Sequence, residues 1–97
     1  MTRFVNSDAA YCANQVAHFS LAAAPDPGLL PRVLEVFAKR GLVPDHFFGR
    51  IDRTPEPRLD LDIRASGLTP ELAAHMARSL GQIVGVEQVL LADHGDG

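Results

Sequence analysis

The stretch that decides the fold is PDPGLLPRVLEVFAKRG, residues 25–41. Its apolar residues recur at intervals of three and four, which places them on one face of an α-helix: Leu30, Val33, Leu34 and Phe37. Pro31 restricts where the helix begins, because a proline fits only the first turn, where its missing N–H leaves no bond unmade. The spacing predicts an amphipathic helix that begins between Pro27 and Leu29 and is ended by Gly41.

Segments on both sides of this helix have the patterns of β-strands. Residues 17–23 alternate in character before a proline, and residues 59–65 alternate between apolar and charged without interruption. Residues 45–52, DHFFGRID, are rich in aromatic and β-branched types, and we predict a strand that is bulged at Gly49. Residues 84–93, rich in valine and leucine, predict a fourth strand.

A second helix is indicated by Thr69-Pro70-Glu71, which offers a capping hydroxyl, a proline for the first turn and an acid near the positive end of the helix dipole. The order of elements is therefore βαββαβ. We predict an α+β, ferredoxin-like sandwich with a four-stranded antiparallel sheet and two helices on one face. The alternation directs four residues to the helices, Phe19, Leu21, Leu61 and Ile63, and five to the open face, Ser20, Ala22, Asp60, Asp62 and Arg64.

The length of 97 residues predicts one domain. We place it at residues 17–93, with a flexible N-terminal tail at 1–16 and a C-terminal tail at 94–97. A chain this short builds a modest core, so we expect a second copy to complete it as a homodimer.

Charge and composition exclude several classes of partner. The formal net charge is -3, with acidic and basic residues interspersed, so neither nucleic acid nor an anionic membrane is an expected partner. No apolar run approaches the ~20 residues that cross a bilayer. A single cysteine and no recognisable secretory segment at the N-terminus predict a cytoplasmic location.

Residues 25–41 and the hydrophobic segment after them resemble the ACT domain family, whose members carry an Asp or Asn, then Gly, then a helix that ends in Arg-Gly or His-Gly. The resemblance extends from about Ala17 to Asp93. Within that family the chain is most similar to the short regulatory small subunit of acetohydroxyacid (acetolactate) synthase. The matching positions are Gly28, Leu30, Arg32, Val33, Phe37, Arg40, Gly41, Ile83, Val84 and Val86.

The resemblance implies a non-catalytic, allosteric regulatory subunit without a cofactor, whose partner is the catalytic subunit of an amino-acid biosynthetic enzyme. It also implies a small amino-acid ligand, bound where the first strand turns into the first helix, between two ACT domains. The implied ligand-binding residues are Asp26, Pro27, Gly28, Leu29, Leu30 and Val43. Free N–H groups at a helix N-terminus favour a carboxylate, and Asp26 would accept from an ammonium group.

Two alternatives stay open for these residues. An Asp before Pro-Gly is also an ordinary N-cap and turn. In addition, many amino-acid-binding members of the family have an Asn where this chain has Val43, followed by Pro44. The alternative function is a stand-alone dimeric interaction domain whose effector site has degenerated.

Other candidate sites are weaker. Asp45-His46 and Asp93-His94 lack the spacing of metal ligands, so we expect no metal site. Cys12 lies in the predicted tail, where no base is held beside it.

The residues at the turn and on the open face also exclude two functions that this topology carries in other proteins. Asp26 stands where an acylphosphatase has an arginine, and the open face offers no aromatic platform for RNA bases. We interpret Asp60 and Asp62 as a salt-bridged surface and not as an acid/base pair. Phe47 and Phe48 are adjacent in a strand, so one of the two rings points outward and could anchor a partner.

Overall fold

The computed structural model describes residues 15–95, and their side chains from 16 to 92. The elements are β1 (Gln15–Ala23), α1 (Leu29–Ala38), β2 (His46–Asp52), β3 (Arg58–Ser66), α2 (Pro70–Gly81) and β4 (Val86–Gly95). The strands form one antiparallel sheet in the order β2-β3-β1-β4. The predicted βαββαβ, ferredoxin-like sandwich is confirmed.

The first and last strands are longer than predicted at their outer ends. β1 begins at Gln15, two residues before the predicted start, and β4 continues to Gly95. The reason is their pairing, because Gln15 and Gly95 face each other in the antiparallel ladder and extend it together. The predicted tail with Cys12 lies outside the described residues, apart from its last two positions.

Both helices begin and end as their local signals predict. α1 begins at Leu29, and Gly41 after it has a φ of +70°, a conformation that favours glycine. In α2 the Oγ1 of Thr69 accepts a hydrogen bond from the backbone N–H of Leu72 at 3.1 Å. This cap satisfies one of the donors that a helix start leaves unpaired.

The core lies between the two helices and one face of the sheet. Its fully buried large side chains come from both layers: Phe19, Leu29, Val33, Phe37, Ile63, Met76 and Leu80. The rings of Phe19 and Phe37 meet edge to face, with centroids 5.7 Å apart. The predicted helix-facing set of Phe19, Leu21, Leu61 and Ile63 is buried, which confirms the alternation.

The predicted bulge at Gly49 is wrong. β2 and β3 pair in unbroken register, with Gly49 opposite Leu61. A Cβ at Gly49 would lie 2.7 Å from Cδ2 of Leu61, a side chain that is itself buried. The glycine therefore makes room for a core leucine at the edge of the sheet. The register shifts instead at Ala22 and Ala23, where β1 pairs with β4.

Within residues 15–95, neither helix has the length and apolar character that a membrane crossing requires.

Candidate functional site at the β1–α1 turn and the open sheet face

The turn between β1 and α1 is anchored to the connection that precedes β4. The N–H of Ala24 donates to the carbonyl of Gly85 at 2.8 Å, and the N–H of Asp26 donates to the carbonyl of Ala24 at 2.8 Å. The Leu29 side chain is completely buried and packs close to Gly85. The turn thus has a fixed base, while Asp26 and Pro27 at its tip are exposed.

Asp26 makes three contacts within the next six residues. Its carbonyl accepts from the N–H of Leu29 at 2.9 Å, and its Oδ1 accepts from the N–H of Gly28 at 3.4 Å. Its Oδ2 lies 3.7 Å from a terminal nitrogen of Arg32. The N-cap residue of α1 is Gly28, so Asp26 precedes the cap and closes a side-chain turn on its own backbone.

Few backbone donors remain for a ligand at this turn. Pro27 and Pro31 have no N–H, and the N–H groups of Gly28 and Leu29 are engaged by Asp26. Leu30 supplies the remaining backbone donor among residues 27–31. The turn offers a ligand one backbone N–H and two half-exposed side chains of opposite charge.

Arg32 is a functional candidate that the site prediction missed. It stands next to Asp26 because one helical turn separates it from Gly28, and the sequence signal for it was the Gly-x-Leu-x-Arg pattern. Arg32 also lines a groove of about 730 Å³ between the helices, together with Val36, Leu72 and Ile83. Those three apolar side chains are partly buried against the core.

Val43 lies apart from the other predicted site residues. α1 has ten residues, which is a length of ~15 Å, and Val43 follows its far end. The Val43 side chain is 86% exposed. One chain therefore brings residues 26–30 together but leaves Val43 at the opposite end of the helix.

The open face of the sheet carries a cluster of polar and charged side chains around Asp62. His18 Nε2 pairs with Asp62 Oδ1, and His46 Nε2 lies 3.6 Å from Asp62 Oδ2. A terminal nitrogen of Arg64 lies 3.8 Å from the same oxygen. The cluster joins β1, β2 and β3, and it confirms the interpretation of Asp62 as part of a salt-bridged surface.

Asp60, the second acid of that interpretation, belongs to a pair with Arg58. Arg58 Nε donates to Asp60 Oδ1 at 3.0 Å, and a terminal nitrogen of Arg58 lies 3.9 Å from Asp52 Oδ2. The hydrogen bond with Asp60 raises the pKa of the Arg58 guanidinium above its ordinary value. Asp60 is thus a salt-bridge partner, as predicted.

A groove of about 470 Å³ crosses the open face above the small side chains of Ser20 and Ala22. Phe48 and Leu90 flank it, and they are 55% and 57% exposed. Phe47 is half-buried against the core. The prediction that one of the two adjacent phenylalanines points outward is confirmed, and that ring is Phe48.

Of the two candidate metal pairs, one contains an acid that is hydrogen-bonded to another strand, and the other lies outside the described side chains. Asp45 Oδ2 accepts from the N–H of Ser66 at 2.7 Å and from its hydroxyl at 2.6 Å, which ties the start of β2 to the end of β3. The side chains of Asp93 and His94 are not among those described. Among the side chains that are, no group of three or more His, Cys, Asp or Glu is placed to hold a metal ion.

A family model described as an ACT-like domain matches residues 9–96. Comparison with curated protein sequences gives no significant match.

Solved structures with this fold include the ACT domain from GTP pyrophosphokinase of Chlorobium tepidum, with a TM-score of 0.66 and 10% identity over 79% of this chain and 96% of that chain. The C-terminal domain of the MgtC protein from Mycobacterium tuberculosis has a TM-score of 0.65 and 13% identity, over 86% and 90% of the two chains. The regulatory subunit of aspartate kinase from Thermus thermophilus has a TM-score of 0.61 and 18% identity, over 79% of this chain and 50% of that one. At these identities the likeness shows the fold alone.

Proposed function

Because this chain belongs to the ACT-like domain family, we propose that it is a non-catalytic regulatory module that binds an amino acid at the β1–α1 turn. ACT domains are in general regulatory and not catalytic. The observation that carries the proposal is the exposed pair of Asp26 and Arg32, whose charged groups lie 3.7 Å apart at the start of α1.

An α-amino acid presents the complementary pair of charges. Its ammonium group would lie beside the carboxylate of Asp26, and its carboxylate would lie beside Arg32 and the N–H of Leu30. The ligand has to open the contact between Asp26 and Arg32. An exposed ion pair contributes only ~0–1 kcal/mol, so this opening costs little.

The groove between the helices offers four apolar side chains among ten lining residues, and these could contact the apolar side chain of an amino acid. Arg32 lines this groove, and so do Val36, Leu72 and Ile83. Its volume of about 730 Å³ is within the range of small-molecule sites. A ligand held by Arg32 could extend an apolar side chain into this groove and remove that surface from water.

A second copy of the chain would complete the site. Residues 26–30 lie at one end of α1 and Val43 follows the other end. A homodimer in which the two α1 helices lie side by side in opposite directions would bring Val43 of one copy near the turn of the other. In this arrangement the effector site would lie between two domains.

The partner of such a module would be the catalytic subunit of an amino-acid biosynthetic enzyme. The Gly-x-Leu-x-Arg-Val opening of α1 supports acetohydroxyacid synthase as the first candidate. The test is to assay that catalytic subunit with and without this chain. The proposal expects the chain to change its activity and to make it sensitive to the amino acid that binds the turn, and an activity that is unchanged rejects this partner.

Calorimetric titration with a panel of amino acids tests the ligand. We expect heat with an apolar amino acid, and a loss of affinity of about tenfold or more, ~1.4 kcal/mol, in both Asp26→Asn and Arg32→Gln. Glu71→Gln is the matched control, because it removes an acid from the first turn of the other helix. Equal loss in Glu71→Gln would mean that only overall charge matters.

The second candidate is a stand-alone dimeric interaction domain with a degenerate effector site. Two observations favour it: Asp26 already engages the N–H groups of Gly28 and Leu29, and Val43 cannot offer the amide found in amino-acid-binding relatives. Under this function no amino acid gives heat or raises the melting temperature. The titration therefore separates the two candidates.

A further inference from the structure

The groove across the open face has one wall on each edge strand and a low floor between them. Phe48 on β2 and Leu90 on β4 are its walls, three strand spacings or ~14 Å apart. The floor is low because β1, an inner strand, carries the small side chains of Ser20 and Ala22 there. The two apolar walls therefore flank a channel of about 470 Å³, which is the size of a small-molecule site.

The charged groups of this groove all lie on its β2–β3 side. They are two arginines and two aspartates, Arg50, Arg58, Asp60 and Asp62. The β1–β4 side presents uncharged side chains, among them Ser20, Ala22, Gln88 and Leu90. A molecule that lies across the groove thus meets charge at one end and neutral side chains at the other, which suits an amphipathic ligand.

Both acids of the groove are already paired with basic side chains of the sheet. Asp60 accepts from Arg58 Nε at 3.0 Å and from a terminal nitrogen of Arg58 at 3.4 Å. Asp62 pairs with His18 Nε2 and lies 3.8 Å from a terminal nitrogen of Arg64. The groove therefore does not offer a free carboxylate to the ammonium group of a ligand.

Arg50 is the charged group of the groove that is left over. Among the side chains described, from 16 to 92, it makes no ion pair. Asp60 faces it in the strand register but is held by Arg58. Arg50 follows Phe48 by two residues on the same face of β2, a separation of ~7 Å. An unpaired guanidinium thus lies beside an exposed aromatic ring.

We propose that this groove binds a small organic acid with one negative charge and a flat aromatic body. Its carboxylate accepts two parallel hydrogen bonds from the guanidinium of Arg50. Its ring packs against Phe48, and the rest of its body covers Ser20 and Ala22. The ligand has no ammonium group, because the acids of the groove are paired. It differs in this from the amino acid proposed for the β1–α1 turn.

The groove and the turn are separate places on the molecule. The turn lies outside the open face, and the lining residues of the groove do not include Asp26 or Arg32. The groove therefore has its own test, and its failure leaves the proposed amino-acid function untouched.

Titration of 2-naphthoate into the intact chain, followed by backbone amide NMR, tests the site. This probe is an aromatic monoanion without an ammonium group. We expect it to shift the amides of Ser20, Phe48 and Arg50. Naphthalene-2-methanol, which has the same rings and no charge, should bind about tenfold more weakly. Shifts confined to residues outside the sheet, no shift at millimolar naphthoate, or equal affinity for the alcohol overturns the proposal.

Two variants test the contacts one at a time. Arg50→Gln and Phe48→Ala should each weaken binding of 2-naphthoate by about tenfold or more. Arg53→Gln is the matched control, since Arg53 is also an exposed arginine but lies after the end of β2 and does not line the groove. An affinity that either groove variant leaves unchanged, or an equal loss in Arg53→Gln, contradicts the site.

Discussion

The β1–α1 turn and the open sheet face both expose charged groups, but they hold them in different ways. At the turn, Asp26 contacts Gly28, Leu29 and Arg32, all within six residues of it. On the open face, His18 and Asp62 are 44 residues apart in the chain and meet through strand pairing. Local contacts can rearrange around a ligand without moving the sheet, whereas contacts set by strand register form a fixed surface. The turn is thus suited to a small ligand, whereas the open face keeps one arrangement of its charged groups.

The largest difference between the two regions is expected at their glycines. Gly49→Ala should destabilise the fold by about 1–3 kcal/mol, because the added methyl group displaces the buried Leu61 side chain. Gly28→Ala should change stability by only about 0.5 kcal/mol, because its Cβ would meet the flexible end of Arg32 at 3.4 Å. Urea unfolding measures both, and equal losses would remove the distinction between a rigid face and an adaptable turn.

An intermediate effect is expected at Asp62. Asp62→Asn should cost about 1–2 kcal/mol, since it removes the charge that holds His18, His46 and Arg64 on three strands. Asp52→Asn is the control on the same face, because Asp52 has a single 3.9 Å ion pair with Arg58. Chemical denaturation measures the free energy of unfolding of both variants. An Asp62 variant as stable as the Asp52 variant would show that the cluster does not stabilise the sheet.

The smallest effect on stability is expected at the turn. Asp26→Asn and Arg32→Gln should each change the free energy of unfolding by less than ~0.5 kcal/mol, and the double variant should show little coupling between them. Both should still lose amino-acid affinity. A double-mutant cycle in urea measures this coupling energy. A value above ~1 kcal/mol would mean that the ion pair stabilises the fold and that a ligand could not open it at little cost.

The same contrast explains what the sequence could predict. The start of α1 followed from Pro31, and the buried face of β3 followed from its alternation, since both signals are contained in a few neighbouring residues. The cluster at Asp62 could not be predicted in this way, because its histidines reach it only through strand register. Gly49 was misinterpreted as a bulge for a similar reason, since its role depends on Leu61 across the ladder.

The implied ligand site was predictable in part. Residues 26–30 form one turn, as their adjacency in the sequence required, and Arg32 joins them through the helical repeat. The ten-residue length of α1 separates Val43 from the turn within one chain. That separation depends on the helix boundaries, which residue patterns alone place only to within a few positions.

The most direct test of the proposed function is a backbone amide NMR experiment in which an amino acid is titrated into the intact chain. Adding an apolar amino acid at constant protein concentration should shift the amides of Gly28, Leu29, Leu30 and Arg32. The amides of Phe48, Ser20 and Leu90 should stay in place. This result would show a ligand site at the turn that is separate from the open face. If no amino acid shifts these four turn amides, the turn is not an effector site, and the regulatory function proposed for it is contradicted.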